Sequence, residues 1–219
     1  MLEKLDSREG VTALVNSAKG QERAFYEHTL ETFDFPAYAD IEERHGASDK
    51  AFADYLSIGY KNAVRMRLNT RSPMKILDLA CGRNFFGLAC RFFGHSVVGI
   101  DQAELYLLEI SRLMGVEFIG GGIRAGELLP PTPRCDFVSA LRASFHKRNK
   151  KDATMWTLDD WRFLLLDLRE NHLTPKGQMF FILNSISNVP GIHVDDPEFI
   201  EFIRNEQGGM VDKHCVLIG

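Results

Sequence analysis

The sequence predicts an α/β fold with a largely parallel sheet, preceded by a helical extension. From residue 74 onward, short β-rich runs (MKILDLA, SVVGID, VEFIG, CDFVSAL and GQMFFILN) alternate with helical stretches. Parallel strands need crossover connections of about a dozen or more residues, which this alternation supplies. Before residue 70 the apolar and charged positions recur at three- and four-residue intervals, the period of amphipathic helices. The 219 residues contain 45% apolar and 26% charged residues, close to globular averages, so the chain is long enough for one large domain or a domain with an added lobe.

In AFADYLSIGYKNAVRMRLN, the residues Phe52, Leu56, Tyr60, Ala63 and Val64 share one helix face. Pro36 and Gly46 punctuate the first seventy residues, and Ser48 is placed to cap a helix over 49–68, so two or three helices are expected before the first strand. AELYLLEISRLMG reads as an amphipathic crossover between the second and third strands. In TLDDWRFLLLDLRENHLTPKG, Thr157 and Asp160 form a capping box, with Pro175 and Gly177 expected to end the helix. In the tail, Asp196 and Pro197 start a short helix carrying Phe199, Ile200 and Ile203, and HCVLIG reads as a last strand reached past Gly208 and Gly209, with room for one hairpin. The expected division is a helical segment 1–70 and an α/β domain 71–219.

Thirty acidic against 26 basic residues give a net charge of −4, which offers no global field for a phosphate backbone, so no nucleic acid is expected as partner. No run approaches the roughly 20 apolar residues of a membrane span, and MLEKLDSREGVTALVNSAKG lacks the apolar block of a secretory signal, so a cytoplasmic protein is expected. Cys81, Cys90, Cys135 and Cys215 are too far apart for a CxxC pair or a zinc cluster. They read as reduced core thiols, and no metal site is expected.

The most specific segment is KILDLACGRNFFGLACRFFGHSVVGID. A strand delivers Asp78 at its end, a tight turn runs through Ala80, Cys81 and Gly82, and an apolar helix starts near Phe85. Small residues there let backbone N–H groups approach a ligand, and the helix N-terminus adds partial positive charge. A second strand ends at Asp101, nineteen residues beyond Gly82, a spacing at which a carboxylate can take both ribose hydroxyls of a nucleoside cofactor.

This stretch resembles motif I and the following acidic strand end of class I S-adenosylmethionine-dependent methyltransferases, over residues 74 to about 185. The resemblance implies a Rossmann-like, mostly parallel sheet with helices on both faces, S-adenosyl-L-methionine as cofactor and methyl transfer to a small-molecule acceptor. It places Asp78 near the ammonium of the methionine part, Ala80, Cys81 and Gly82 as the wall behind it, Asp101 on the ribose and Gln102 beside the adenine. Asn84 stands where the family commonly has a third glycine, and Asn tolerates positive φ better than most side chains. CDFVSALRASFH resembles the family's fourth strand, with Asp136 opening it and His146 ten residues later. Ala140, Leu141 and Arg142 are then expected at the cofactor, with Ser144, Phe145 and His146 at the transfer end. The loop GGGIRAGELLPP lacks the family's usual adenine-binding acid, so Ile123 and the backbone of Gly122 to Ala125 are assigned to the base instead.

His146 is the candidate general base, needed only where the acceptor loses a proton as it attacks; His28, His45 and Tyr26 are less well placed. The N-terminal helices, without a place in the sheet, are expected to act as a lid. In HKRNKKD, the residues Lys147, Arg148, Lys150 and Lys151 read either as an attractor for an anionic acceptor or as a solvated loop. A nicotinamide-binding domain is the main rival, but it would carry GxGxxG without an acid at Asp78, and a pyrophosphate does not favour a nearby carboxylate. A degenerate fold serving as a partner module is the other alternative, motivated by the replaced glycines and the missing adenine acid.

Overall fold

The helical first third resolves into four helices in a computed structural model that describes residues 7–46, 52–148, 153–184 and 189–219. These are α1 (Ser7–Ser17), α2 (Gly20–Thr32), α3 (Phe35–His45) and α4 (Phe52–Arg65), where two or three were expected. The additional boundary falls at Lys19 and Gly20, where an extended residue is followed by one at φ +56° and the helical path cannot continue. Asp34 caps α3 by accepting a hydrogen bond from Ala37 N at 3.0 Å, with Pro36 in the first turn, and Gly46 ends it at φ +57°. Ser48 and the start of the 49–68 segment lie outside the described residues. Within α4, Phe52, Leu56, Tyr60 and Ala63 are buried as the spacing expects.

After a single 3₁₀ turn come β1 (Lys75–Leu79), α5 (Phe85–Phe92), β2 (Ser96–Asp101), α6 (Leu105–Leu113), β3 (Glu117–Gly120) and β4 (Cys135–Ala143). A small hairpin follows, β5 (His146–Arg148) antiparallel to β6 (Ala153–Met155). The chain ends with α7 (Leu158–Asp167), β7 (Leu173–Leu183), α8 (Pro197–Glu201), β8 (Met210–Asp212) and β9 (Cys215–Ile218). The seven-stranded sheet has the order β3-β2-β1-β4-β7-β9-β8 and is mostly parallel: β4 pairs in parallel with β1 and β7, and β9 runs antiparallel to β7 and β8. This is the Rossmann-like α/β class the alternation predicts.

Thr157 and Asp160 form the expected capping box of α7. The helix does not run on to Pro175 and Gly177, however. It closes in a π-turn at Leu168–His172, Leu173 is already extended, and both Pro175 and Gly177 lie inside β7. Proline is tolerated there because the pairing with β4 skips from Leu173 to Gln178, an irregularity that needs no ladder N–H from residue 175. The tail follows expectation, with Asp196 at the start of α8 and a β8–β9 hairpin.

The described residues fall into two compact units, one within 1–73, 82–97 and 104–118, the other within 74–81, 98–103 and 119–219. In the first, the contact of α4 with α5 depends on a glycine: a Cβ on Gly59 would lie 2.5 Å from the carbonyl oxygen of Phe85. The second is organised around Leu77, Leu79, Val138, Ala140, Phe181 and Val216 from the sheet, with Trp156, Trp161, Leu164, Leu165 and Phe199 packed against them. None of the four cysteines is disulfide-bonded, but only Cys90 and Cys135 are buried; Cys81 and Cys215 are partly exposed, a correction to their reading as core thiols.

Gly59→Ala sets helix propensity against sterics. Alanine is favoured by about 1 kcal/mol in a helix interior, yet here its methyl would strike backbone that cannot swing away. The expected outcome is a net loss of roughly 1–3 kcal/mol, measured by urea denaturation.

Candidate functional site

The strand order reverses at β1, which has β2 and then β3 on one side and β4 on the other. In open α/β sheets, ligands bind beyond the carboxyl ends of the strands at such a switch point. A cleft of about 930 Å³ opens there, lined by Ala80 after β1, Asp101, Gln102 and Ala103 at the end of β2, residues 121–125 after β3, and residues 143–147 at the end of β4. Its size is near the upper end of the ~300–1,000 Å³ range of small-molecule sites.

Asp78 sits next to this cleft but below its surface. It is only 2% exposed and accepts a hydrogen bond from Ser139 Oγ at 2.7 Å, its register partner across the β1–β4 pair. Burial pushes its carboxyl up to about 7; the Ser139 bond opposes the rise and the charge of Asp101 adds to it. Asp78 does not cap α5: the residue preceding that helix is Asn84, and the bond described for the Asp78 side chain goes to Ser139. Asp101 is half-buried, with Oδ1 accepting from Gln102 N at 2.7 Å and its carbonyl accepting from Gly121 N at 2.7 Å. The second of these bonds ties the ends of β2 and β3 together. It needs small residues, since a Cβ on Gly120 would lie 2.8 Å from that of Ala103.

The turn after β1 takes a left-handed path at two positions that are not glycine. Ala80, Gly82 and Asn84 have φ of 54°, 52° and 60°. Two non-glycine residues thus occupy the left-handed region, and Cys81 N donates to Ile100 O at 3.2 Å. A Cβ on Gly82 would meet nothing within 4 Å, so the glycine answers to its φ and not to crowding.

His146 lies where Phe145 and Lys147 anchor both flanks. The Phe145 ring packs 4.8 Å from Trp156 and 4.7 Å from Trp161, and its carbonyl accepts from Trp156 N at 3.1 Å. Lys147 Nζ pairs with Asp160 Oδ2 at 2.7 Å. His146 Nδ1 bonds Ser144 O at 3.0 Å. A carbonyl only accepts, so the proton belongs on Nδ1 and the neutral ring keeps its lone pair on Nε2.

Of the residues assigned from the sequence, the cleft collects Ala80, Asp101, Gln102, Ile123 and His146, with Ser144 and Phe145 beside them. It is not lined by Cys81, Gly82, Asn84, Ala140, Leu141 or Arg142. Ala140 is fully buried in the sheet core. Arg142 sits on a register shift between Leu141 and Ala143 at φ 56°, which leaves its side chain exposed. The Asn84 amide is committed to Ser111 Oγ at 2.6 Å and is buried. The lesser base candidates are engaged within the helical unit: His45 with Glu109, Tyr26 with Glu22, and His28 against the Phe92 ring. Lys150 and Lys151 lie outside the described residues. Ala103, Gly121 and Ala143 line the cleft without having been singled out; the run of three glycines after β3 was the available signal for the second.

No family model matches the sequence, and no curated protein matches it. Among solved structures, the chain is similar to the PH0226 protein of Pyrococcus horikoshii OT3 at 20% identity over 88% of this chain and 96% of that one, with a TM-score of 0.52. It is similar to the ribosomal protein L11 methylase of Lactobacillus delbrueckii subsp. bulgaricus at 15% identity over 75% and 74%, with a TM-score of 0.43. A third is the glycopeptide N-methyltransferase MtfA complexed with S-adenosyl-L-methionine, at 19% identity over 56% of this chain and 53% of that one, with a TM-score of 0.41. The fold, a mostly parallel Rossmann-like sheet with helices around it, is shared with the PH0226 protein. No helix among the described residues is long and apolar enough to cross a membrane.

The raised Asp78 pKa links stability to pH. The folded state holds this proton up to about pH 7, whereas the unfolded chain releases it near 3.9. The contribution is therefore fully present below about pH 4 and is lost as pH rises towards 7. Asp78→Asn keeps an acceptor for Ser139 and has no charge to bury. The expected outcome is a variant more stable than the parent at pH 8, by on the order of 2–4 kcal/mol, with the gap closing at pH 4–5, read from denaturation curves at both values.

Proposed function

We propose that the protein is an S-adenosyl-L-methionine-dependent methyltransferase acting on a small-molecule acceptor. The observation that carries this reading is the pair of carboxylates on adjacent strands, Asp78 closing β1 and Asp101 closing β2, at the switch point of a methyltransferase-type sheet. The donor set suits this cofactor. A buried carboxyl that gives up its proton reluctantly is suited to an ammonium, which would favour the charged form, and a half-buried carboxylate at a strand end suits a pair of ribose hydroxyls. The strand-end acid Asp101 would serve the ribose of either cofactor, but the buried Asp78 carboxyl does not suit the pyrophosphate of a dinucleotide.

When bound, the cofactor supplies an electrophilic methyl group already activated on a sulfonium. The chain's contribution is then placement. Ala80 and the backbone after β1 form one wall, Asp101 holds the ribose edge, and Gln102 and Ile123 with the 121–125 backbone lie beside the base without a carboxylate. For an acceptor that attacks through a hydroxyl, His146 Nε2 takes the proton while Nδ1–H stays on Ser144 O, a bond that holds the ring's orientation through the transfer. The acceptor occupies the end of the cleft formed by residues 143–147. Lys147 is already paired with Asp160, and Arg124 with Glu127 at 3.4 Å. These two cations therefore give no specific reason to assign an anionic acceptor.

Thermal melts with S-adenosylhomocysteine, S-adenosylmethionine and NAD test the cofactor reading: a ligand at a hundred times its dissociation constant adds about 2.7 kcal/mol to stability. A rise with the sulfur nucleosides is expected, and a rise with NAD alone overturns the assignment. By calorimetry, Asp101→Ala is expected to lose ~1–3 kcal/mol of S-adenosylhomocysteine binding. Once an acceptor is found by screening metabolites for methyl uptake, His146→Ala is expected to lower turnover about 10²–10⁴-fold on a hydroxyl acceptor while leaving cofactor affinity unchanged. Unaltered turnover removes the base role.

A further inference from the structure

Within the helical unit, one carboxylate gathers side chains from two separate turns of the chain. Glu42 on α3 accepts through Oε1 a hydrogen bond from the hydroxyl of Tyr106 at the start of α6, and the same oxygen lies 3.3 Å from Arg83 Nη1. Arg83 is held on further sides: its Nη1 donates to Tyr38 Oη at 3.1 Å, and its guanidinium carbon lies 5.4 Å from the ring centroids of both Tyr55 and Tyr106. Arg83 immediately follows Gly82 and precedes Asn84, both in left-handed backbone. Tyr106 follows Asp101 by five residues. The Glu42 carboxylate thus ties down the residues just downstream of both segments assigned to the cofactor.

The cluster is not arranged for stability alone. Both charged side chains are largely buried, 18% and 10% exposed for Arg83 and Glu42, and Glu42 Oε2 is buried with no hydrogen-bond partner among the described residues. Native interiors rarely keep such an atom unless the group serves something besides packing. Lysine could not replace Arg83, because a flat guanidinium is needed to contact two rings while its edge bonds a phenol and a carboxylate.

We infer that Glu42 and Arg83 are positioning residues for the cofactor: they touch no ligand themselves, and they fix the turn at 80–84 and the entry to α6 in the ligand-ready form. The inference rests on the methyltransferase reading. Its test is calorimetric titration of S-adenosylhomocysteine into the parent protein and into Glu42→Gln, Arg83→Lys and Tyr106→Phe, with thermal melts of each in the absence of ligand. Glu42→Gln and Arg83→Lys are expected to weaken binding about tenfold or more, and Tyr106→Phe, which removes one hydroxyl, several-fold. Their ligand-free melting temperatures are expected to show no matching order, since a merely structural role would move both together. Parent-like affinity in folded Arg83→Lys and Tyr106→Phe overturns the inference and leaves the cofactor reading standing. Failure of the parent protein to bind S-adenosylhomocysteine defeats the cofactor reading and the inference with it.

Discussion

A carboxyl group with almost no access to water, at the end of a central strand, is the constraint around which the rest of the sheet unit is arranged. Asp78 has a single short hydrogen bond from Ser139 and a second carboxylate, Asp101, whose charge opposes its ionisation. Removing a carboxylate from water is unfavourable unless something returns the lost solvation. Here the Ser139 hydroxyl returns only part of it, and the carboxyl is pushed up to about 7. The same reasoning explains the tolerance for Ala80 and Asn84 in left-handed backbone. The turn is held in left-handed backbone at Ala80 and Asn84, and backbone strain of this kind persists only where the surroundings impose it.

The end of the cleft at residues 143–147 is built on a different principle. Among the described residues, no charge pair orients His146; its neighbours do, Phe145 buried among aromatic rings and Lys147 paired with Asp160 of the α7 capping box. Asp160 serves twice, as the reciprocal partner of Thr157 in the capping box and as the ion-pair partner of Lys147. The start of a helix and the edge of the cleft are thereby set by the same carboxylate, so the position of the β5 strand follows from the packing of α7.

Much of this was legible in the chain because it depends on local pattern. The strands at 75–79, 96–101 and 135–143, the capping box at Thr157, and the two acids at the strand ends follow from short β-rich runs and from side chains acting on nearby backbone. What could not be read depends on contacts distant in sequence. The π-turn that ends α7 ahead of Pro175 reflects the register of β7 against β4, which no window around residue 175 contains. The outward turn of Arg142 follows from a bulge in that same pairing. Asn84 was legible as a residue that accepts positive φ, but its partner, Ser111, is 27 residues away. The Glu42 cluster draws on α3, α4, the turn after β1 and α6, and nothing in the local sequence of any one of them announces it.

The aromatic packing beside His146 has a spectroscopic consequence. The chain has two tryptophans, and both belong to the one group around Phe145, their rings 5.5 Å apart. Tryptophan emission from this protein therefore originates beside the Phe145 end of the cleft, so the molecule carries a built-in optical probe of that end.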